Sequence, residues 1–365
     1  MISFTPTEEQ QQLIETIRRY SLNNVRPIAH EADESSHLPQ DVIEMGWAIG
    51  LVATAMPETL GGLGEMSALT GVLAAEELAF GDLSAALAVL APALFAYPVA
   101  LYGTDEQRDN WLPMFLDERY APATAALLEP GISFDPNNLQ TTATHEGDRV
   151  RLNGVKACVP LATKAPVMLV YARNSENGAA DAYLVQREAD GIEIVSEEKL
   201  MGIRALPTYR VRFNNVRVDQ PCRLGGAGGC DYRALINRMR VALAALAVGV
   251  ARAASEYARQ YAKERIQFGV PIATKQAIAF MLAEMAIEVD AARLMTWEAA
   301  WKIDRGEDAT REAYLARQYA ENAVLFVTDS GVQTLGGYGF IREFPAERWL
   351  RNGRGFIAFD GLAIV

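Results

Sequence analysis

The stretch RNGRGFIAFDGLAIV holds one carboxylate, Asp360, set between Phe359 and Gly361. A lone acid in an apolar tail is either an accident of the terminus or a placed proton acceptor. Burial beside an aromatic ring raises a carboxyl pKa toward neutrality, which makes a better base. Two other stretches gather polar groups. In YAKERIQFGVPIATKQAI, Arg265, Gln267 and Gln276 surround a turn at Gly269 and Pro271. In SGVQTLGGYGF, Gln333 precedes Gly336, Gly337 and Gly339, and glycines let backbone approach a flat or charged ligand closely. Plain structural readings stand beside both: a surface turn for the first, a helix C-cap for the second. The glycines follow the helical stretch AENAVLFVTDSGV rather than a strand, so they are no dinucleotide fingerprint.

Composition removes other chemistries. Three histidines (His30, His37, His145), none next to another in sequence, suit neither Ser/His/Asp catalysis nor a histidine metal site. Three cysteines (Cys158, Cys222, Cys230) without C-x-x-C spacing indicate neither a disulfide framework nor zinc, and fit a reducing cytoplasm. No metal is expected. The formal charge of −12 argues against a nucleic-acid partner, though an anionic small ligand needs only a few local cations. MISFTPTEEQ shows no signal peptide. The run VALAALAVGVARAA reaches 11 apolar residues before Arg252, too short for a bilayer, so no membrane partner is expected.

The elements that must hold these groups fall into three textures along 365 residues. Residues 1–120 read as helices, with a capping box at Thr7-x-x-Gln10 followed by Leu13, Ile17 and Tyr20 at helical spacing. Residues 121–228 read as short strands: DRVRLNGVKACV as a hairpin turning at Asn153-Gly154, then APVMLVYAR, DAYLVQR, GIEIV and YRVRFNNVRV, giving a small antiparallel sheet domain. GGAGG reads as a linker. Residues 229–365 are helical again, with Ile278, Met281, Met285, Val289, Ala292 and Met295 along one apolar bundle-core face.

With those pieces in place, the chain resembles the acyl-CoA dehydrogenase family along essentially its whole length. Six stretches carry the likeness in family order: MPETLGGLG, EELAFGDLSAALAV, YGTDEQRDNWLP, LLEPG, YAKERIQFG and LGGYGFIREFPAERWLRNGR. The resemblance implies an N-terminal helical domain, a central antiparallel β-barrel-like domain and a C-terminal four-helix bundle. It implies FAD as cofactor, an acyl-CoA substrate oxidised at its Cα–Cβ bond, and tetramers. By position, Arg265 resembles the arginine that pairs with the FAD pyrophosphate of a neighbouring subunit, a job its forked guanidinium suits. Gln267, Phe268 and Gln276 fall where the family contacts flavin-adenine groups. Gln333, Gly336 and Gly337 match its adenine-side loop, and Gly361 belongs to the cofactor-facing turn. Arg240 falls near the thioester end of the substrate site. The FDG of Asp360 sits where most members have Tyr-Glu-Gly, whose glutamate removes the α-proton.

The departures are specific. Aspartate is about 1.5 Å shorter in reach than glutamate, though the nitroalkane-oxidising branch of the superfamily also uses an aspartate base. The flavin-edge Trp-x-Thr reads Cys158, Val159, Pro160, and proline offers no N–H. Leu128 opens the Thr-Glu-Pro position, Phe134 replaces a serine where it reshapes the substrate pocket, and Leu362 replaces a threonine; the final helix is missing. Groups serving a neighbour's FAD are kept while several holding the chain's own isoalloxazine are lost. Three functions follow. The first is an FAD-dependent dehydrogenase of a short, branched, cyclic or otherwise unusual acyl thioester, passing electrons to an electron-transfer flavoprotein. The second is a half-site or non-catalytic subunit of an α2β2 tetramer with a homologous chain. The third is a flavin oxidase or monooxygenase on the same fold.

Overall fold

A computed structural model describes residues 5–131, 134–147 and 149–365. The MISF start and Asp148, which opens the expected hairpin, lie outside the described residues. Helices run to Trp111, strands lie between Thr124 and Asp219, and long helices return at Tyr232. The first helix, Glu8–Tyr20, opens on the expected capping box: Thr7 Oγ1 accepts the Gln10 N–H at 3.2 Å and Gln10 Oε1 accepts the Thr7 N–H at 3.0 Å. Its Ile17 and Tyr20 are buried.

The most apolar stretch is Leu83–Tyr102, with mean hydropathy 1.9, rather than the run before Arg252. Pro92 divides it into the helices Leu83–Leu90 and Ala93–Tyr102. It and the helix Tyr232–Glu264 are long and apolar enough to cross a bilayer, and protein surrounds them: their apolar windows are 100% and 89% buried. Both are core. The helix Ala68–Gly81 packs between them and carries two buried carboxylates. Glu76 and Glu77 meet Arg252 Nη1 at 2.6 and 2.8 Å, and Arg293 and Arg18 complete the cluster. Buried charge is stable only when paired and hydrogen-bonded in this way.

Seven strands form one sheet: β1 (Thr124–Ala126), β2 (Thr142–Glu146), β3 (Arg149–Pro160), β4 (Val167–Asn174), β5 (Ala180–Gln186), β6 (Ile192–Glu197) and β7 (Thr208–Asp219). The path runs β1-β4-β2-β3-β7-β6, with β5 also on β4. Most pairs are antiparallel, but β1–β4 and β2–β4 are parallel, so the sheet is mixed where alternation alone suggests antiparallel. Alternation fixes a strand's faces and not its neighbour's direction.

The expected hairpin turn at Asn153-Gly154 is corrected. Both residues lie inside the single strand β3, and the reversal falls between Glu146 and Arg149. Gly154 sits at a bulge, where the register to β7 slips between Leu152 and Gly154. Its φ is +153°, and an added Cβ would come within 2.5 Å of Thr141 Oγ1. The glycine serves a close approach inside a sheet, the other use of the same dipeptide.

The C-terminal helical domain comprises Tyr232–Glu264, Gln276–Asp304, Thr310–Leu335 and the shorter Ala346–Gly355. Met285, Val289 and Ala292 are buried along the second of these, with Ile278, Met281 and Met295 half-buried on the same face. GGAGG folds as a compact 3₁₀ turn, Gly226–Gly228, and the Gly225 N–H donates to Gln107 Oε1 at 3.0 Å.

Candidate active site

Asp360 follows the 3₁₀ turn Phe356–Ala358, which continues from the helix Ala346–Gly355. Phe359 is buried and packs edge-on against Phe356, their centroids 5.4 Å apart. That fixes the backbone from which the carboxylate projects. Gly361 turns the chain at φ +81°, and an added Cβ would lie 2.7 Å from Leu127 Cβ, so a side chain there is excluded. Leu362 and Ala363 are then buried.

The Asp360 side chain keeps 32% of its surface exposed. Burial pushes its carboxyl above the ordinary value, and the positive charges of Arg317 and Arg240 pull it part of the way back. Arg317 Nη2 stands 3.9 Å from Asp360 Oδ1. Arg240, from the helix Tyr232–Glu264, lies over the Tyr314 ring with its guanidinium carbon 5.5 Å from the centroid. Burial depresses its pKa, while Asp360, Tyr314, Tyr232 and Asp135 favour its charge. Tyr232 Oη donates to the Pro136 carbonyl at 2.5 Å, which ties the loop after Phe134 to this helix. Phe134 is half-buried against both helical cores. The fold thus brings Asp360, Arg240 and the Phe134 loop to one locality.

A second locality holds the other polar groups. Ile266–Gln267 and Val270–Pro271 form a two-residue hairpin whose central Phe268 and Gly269 both have positive φ, +54° and +79°. Beside it, Tyr261, Arg265, Gln267, Gln333, Gly336 and Gly337 line a groove of about 390 Å³. Arg265 caps the helix Tyr232–Glu264 and lies over Tyr338, 5.4 Å from its centroid, with no carboxylate partner among the described residues. Gly336 is the C-cap of the helix Thr310–Leu335, its N–H donating to Val332 O at 3.0 Å, so the plain reading of those glycines is a fact of the structure. A Cβ at Gly336 or Gly337 would meet no atom within 4 Å, which leaves the space beside that backbone open to a ligand. Phe268, 91% exposed under Lys275, and Gln276, exposed at the start of its helix, lie outside the groove lining.

The end of β3 is built differently from either. Cys158 has φ +50° and donates its N–H to Glu198 Oε2 at 2.6 Å. Burial pushes its thiol up to about 12. Two residues earlier Lys156, fully buried, donates to Glu129 Oε1 at 2.9 Å and Leu127 O at 3.0 Å. Burial brings its pKa down to about 8 against the pull of Glu129. Sequence reasoning passed over Lys156, Glu198, Tyr314 and Arg317. Arg317 alone left a signal: it shares the apolar face of Ala313, Ala320 and Val324 in an otherwise ordinary helix.

Three family descriptions match in order: "Acyl-CoA dehydrogenase, N-terminal domain" over residues 7–119, "middle domain" over 124–216 and "C-terminal domain" over 229–363. The chain belongs to the acyl-CoA dehydrogenase family. This acyl-CoA dehydrogenase family member is 33% identical to the short-chain specific acyl-CoA dehydrogenase of Bos taurus mitochondria over 360 residues, which cover 97% of this chain and 87% of that one. It is 32% identical to the 3-(aryl)acrylate reductase of Clostridium sporogenes, covering 98% of this chain and 96% of the other. Among solved structures, the butyryl-CoA dehydrogenase of Megasphaera elsdenii superposes with a TM-score of 0.90 at 28% identity, covering 99% of this chain and 96% of that one. The enzyme class is that of flavoprotein oxidoreductases.

Proposed function

We propose that this family member dehydrogenates the Cα–Cβ bond of a short, branched, cyclic or otherwise unusual acyl-CoA thioester, with Asp360 as the α-proton base. The observation that carries this is the placement of Asp360: a carboxylate raised by burial, within the electrostatic reach of Arg240 and held by a turn that packs beside Arg317. The residues suit FAD. Arg265 is a cation without a carboxylate partner, at a groove whose glycines leave open space. Arg265, Gln333, Gly336 and Gly337 would hold the FAD of a neighbouring subunit at that groove, Gln267, Phe268 and Gln276 would meet flavin-adenine groups beside it, and Gly361 would face the cofactor at the Asp360 site. When bound, FAD supplies an acceptor at N5 for the β-hydrogen and its electron pair. Asp360 forms an O–H bond as the α-C–H bond breaks, and the electron pair left behind becomes the new double bond. Arg240 steadies negative charge at the thioester end during that transfer.

The assembly is a homotetramer or a heterotetramer with a homologous chain, located in the cytoplasm and passing electrons to an electron-transfer flavoprotein. One observation favours the half-site alternative: at the end of β3, the Cys158 N–H is already taken by Glu198 and Pro160 has none, so neither residue offers the flavin edge a backbone donor.

Anaerobic mixing of the FAD-loaded protein with a panel of acyl-CoA thioesters tests the first reading. Asp360→Asn should retain FAD and lose flavin reduction by about 10²–10⁴-fold. An unchanged reduction rate in that variant would remove Asp360 from the mechanism. A chain that stays colourless after FAD addition would support the half-site alternative.

A further inference from the structure

We infer that Arg317 is the positioning residue of the Asp360 base, pinning the turn that aims it and fixing a positive charge behind it; the inference rests on the reading of Asp360 as base. Arg317 is 7% exposed in its side chain and lies on the inner face of the helix Thr310–Leu335. Its Nη2 donates to the Phe356 carbonyl and stands 3.9 Å from Asp360 Oδ1. Its Nη1 donates to Glu321 Oε2 at 2.9 Å. Phe356 opens the 3₁₀ turn that leads into Asp360, and its carbonyl also takes the Phe359 N–H at 3.5 Å. One guanidinium therefore bonds the backbone that aims the carboxylate and stands within ion-pair distance of the carboxylate itself.

A shorter base needs closer aiming, because a misplacement of about 1 Å costs roughly a hundredfold in rate. The planar fork of arginine serves two diverging acceptors, the Phe356 carbonyl and Glu321, keeps its charge at ion-pair distance from Asp360, and cannot lose its proton. The charge has a second effect. A carboxyl buried as Asp360 is drifts toward the neutral acid, and a neutral acid accepts no proton. An opposite charge within about 4–6 Å lowers a carboxyl pKa by about 1–3 units, which keeps the base ionised near neutrality. Two cations face Asp360 from the packed elements, Arg317 from one helix and Arg240 from another. Glu321 competes for the first, and Tyr314, Tyr232 and Asp135 surround the second. Arg240 lies toward the substrate end and Arg317 holds the turn, so their roles separate.

The test titrates the Asp360 carboxyl by infrared difference between the parent and Asp360→Asn, in the purified chain. Replacing Arg317→Gln should raise the midpoint by about one pH unit, and Arg317→Lys should recover most of that charge effect. The acid limb of flavin reduction should move by the same amount. A folded Arg317→Gln protein with an unmoved midpoint overturns the inference. Should that variant not fold, Glu321→Gln decides: it frees Arg317 for Asp360 and should lower the midpoint, whereas no change or a rise overturns the inference. The two readings fail separately. Full flavin reduction by Asp360→Asn would end the base assignment while leaving the Arg317 effect on the infrared midpoint in place.

Discussion

A base buried in its own protein carries a cost that its reaction requires. The Asp360 carboxyl lies above its ordinary value because burial opposes its charge more than Arg317 and Arg240 favour it. A carboxyl whose folded pKa exceeds its unfolded value binds its proton more tightly when folded. Stability therefore falls as pH rises through that interval, and the loss is complete above the folded pKa. Asp360→Asn removes it. The variant should melt at or above the parent temperature near pH 8, with the difference gone below about pH 4, where both forms are neutral. Calorimetry at both pH values checks this, and a variant that melts well below its parent near pH 8 would show that Asp360 stabilises the fold instead. Asp360 was legible in sequence as the sole acid of an apolar stretch. Arg317 was not, because its partners arrive only when the turn Phe356–Ala358 folds back onto its helix.

At the scale of elements, local turn signals had two outcomes. Asn-Gly between alternating runs is a hairpin signal, yet here it marks a bulge inside β3 pinned between β2 and β7. Propensity describes what Asn153-Gly154 allows, and tertiary pairing selects among the options. Gly154→Ala forces a Cβ to within 2.7 Å of Thr141 Cα in a backbone region that side chains rarely enter. It should destabilise the protein by about 1–3 kcal/mol, read as a lower urea midpoint at unchanged slope. A midpoint equal to the parent's would mean that the bulge relaxes freely. The surface turn expected at Gly269 and Pro271 folds as the hairpin Ile266–Gln267/Val270–Pro271, which pairs only with itself.

At the scale of the whole molecule, apolar surface is left uncovered in the C-terminal helical domain. Phe280, Ile287 and Leu294 recur every seven residues along the helix Gln276–Asp304, all exposed, and Phe268 and Phe340 stand out at 91% and 83% exposure. Faces of this kind mark association surfaces. If FAD is held between chains, Phe280→Asp with Ile287→Asp should lower both the mass in solution and the FAD retained. Arg265→Ala should leave the mass unchanged and weaken FAD by about 1.5–3 kcal/mol, the worth of one charge-assisted contact. Light scattering with flavin absorbance reads both, and full FAD retention by the dissociated double variant would place the cofactor within one chain. The order of textures, the capping box at Thr7, the apolar face from Ile278 to Met295, the lone Asp360 of its stretch and the polar groups around Arg265 were determined by sequence, because periodicity, caps and residue chemistry act over a few neighbouring residues. The parallel pairing of β1 and β2 with β4, the bulge at Gly154, the burial of Lys156 against Glu129 and the meeting of Arg317 with Asp360 were decided by the tertiary structure alone. Each joins segments far apart in the chain, and only the packed fold sets the distances, burial and partners on which their energies depend.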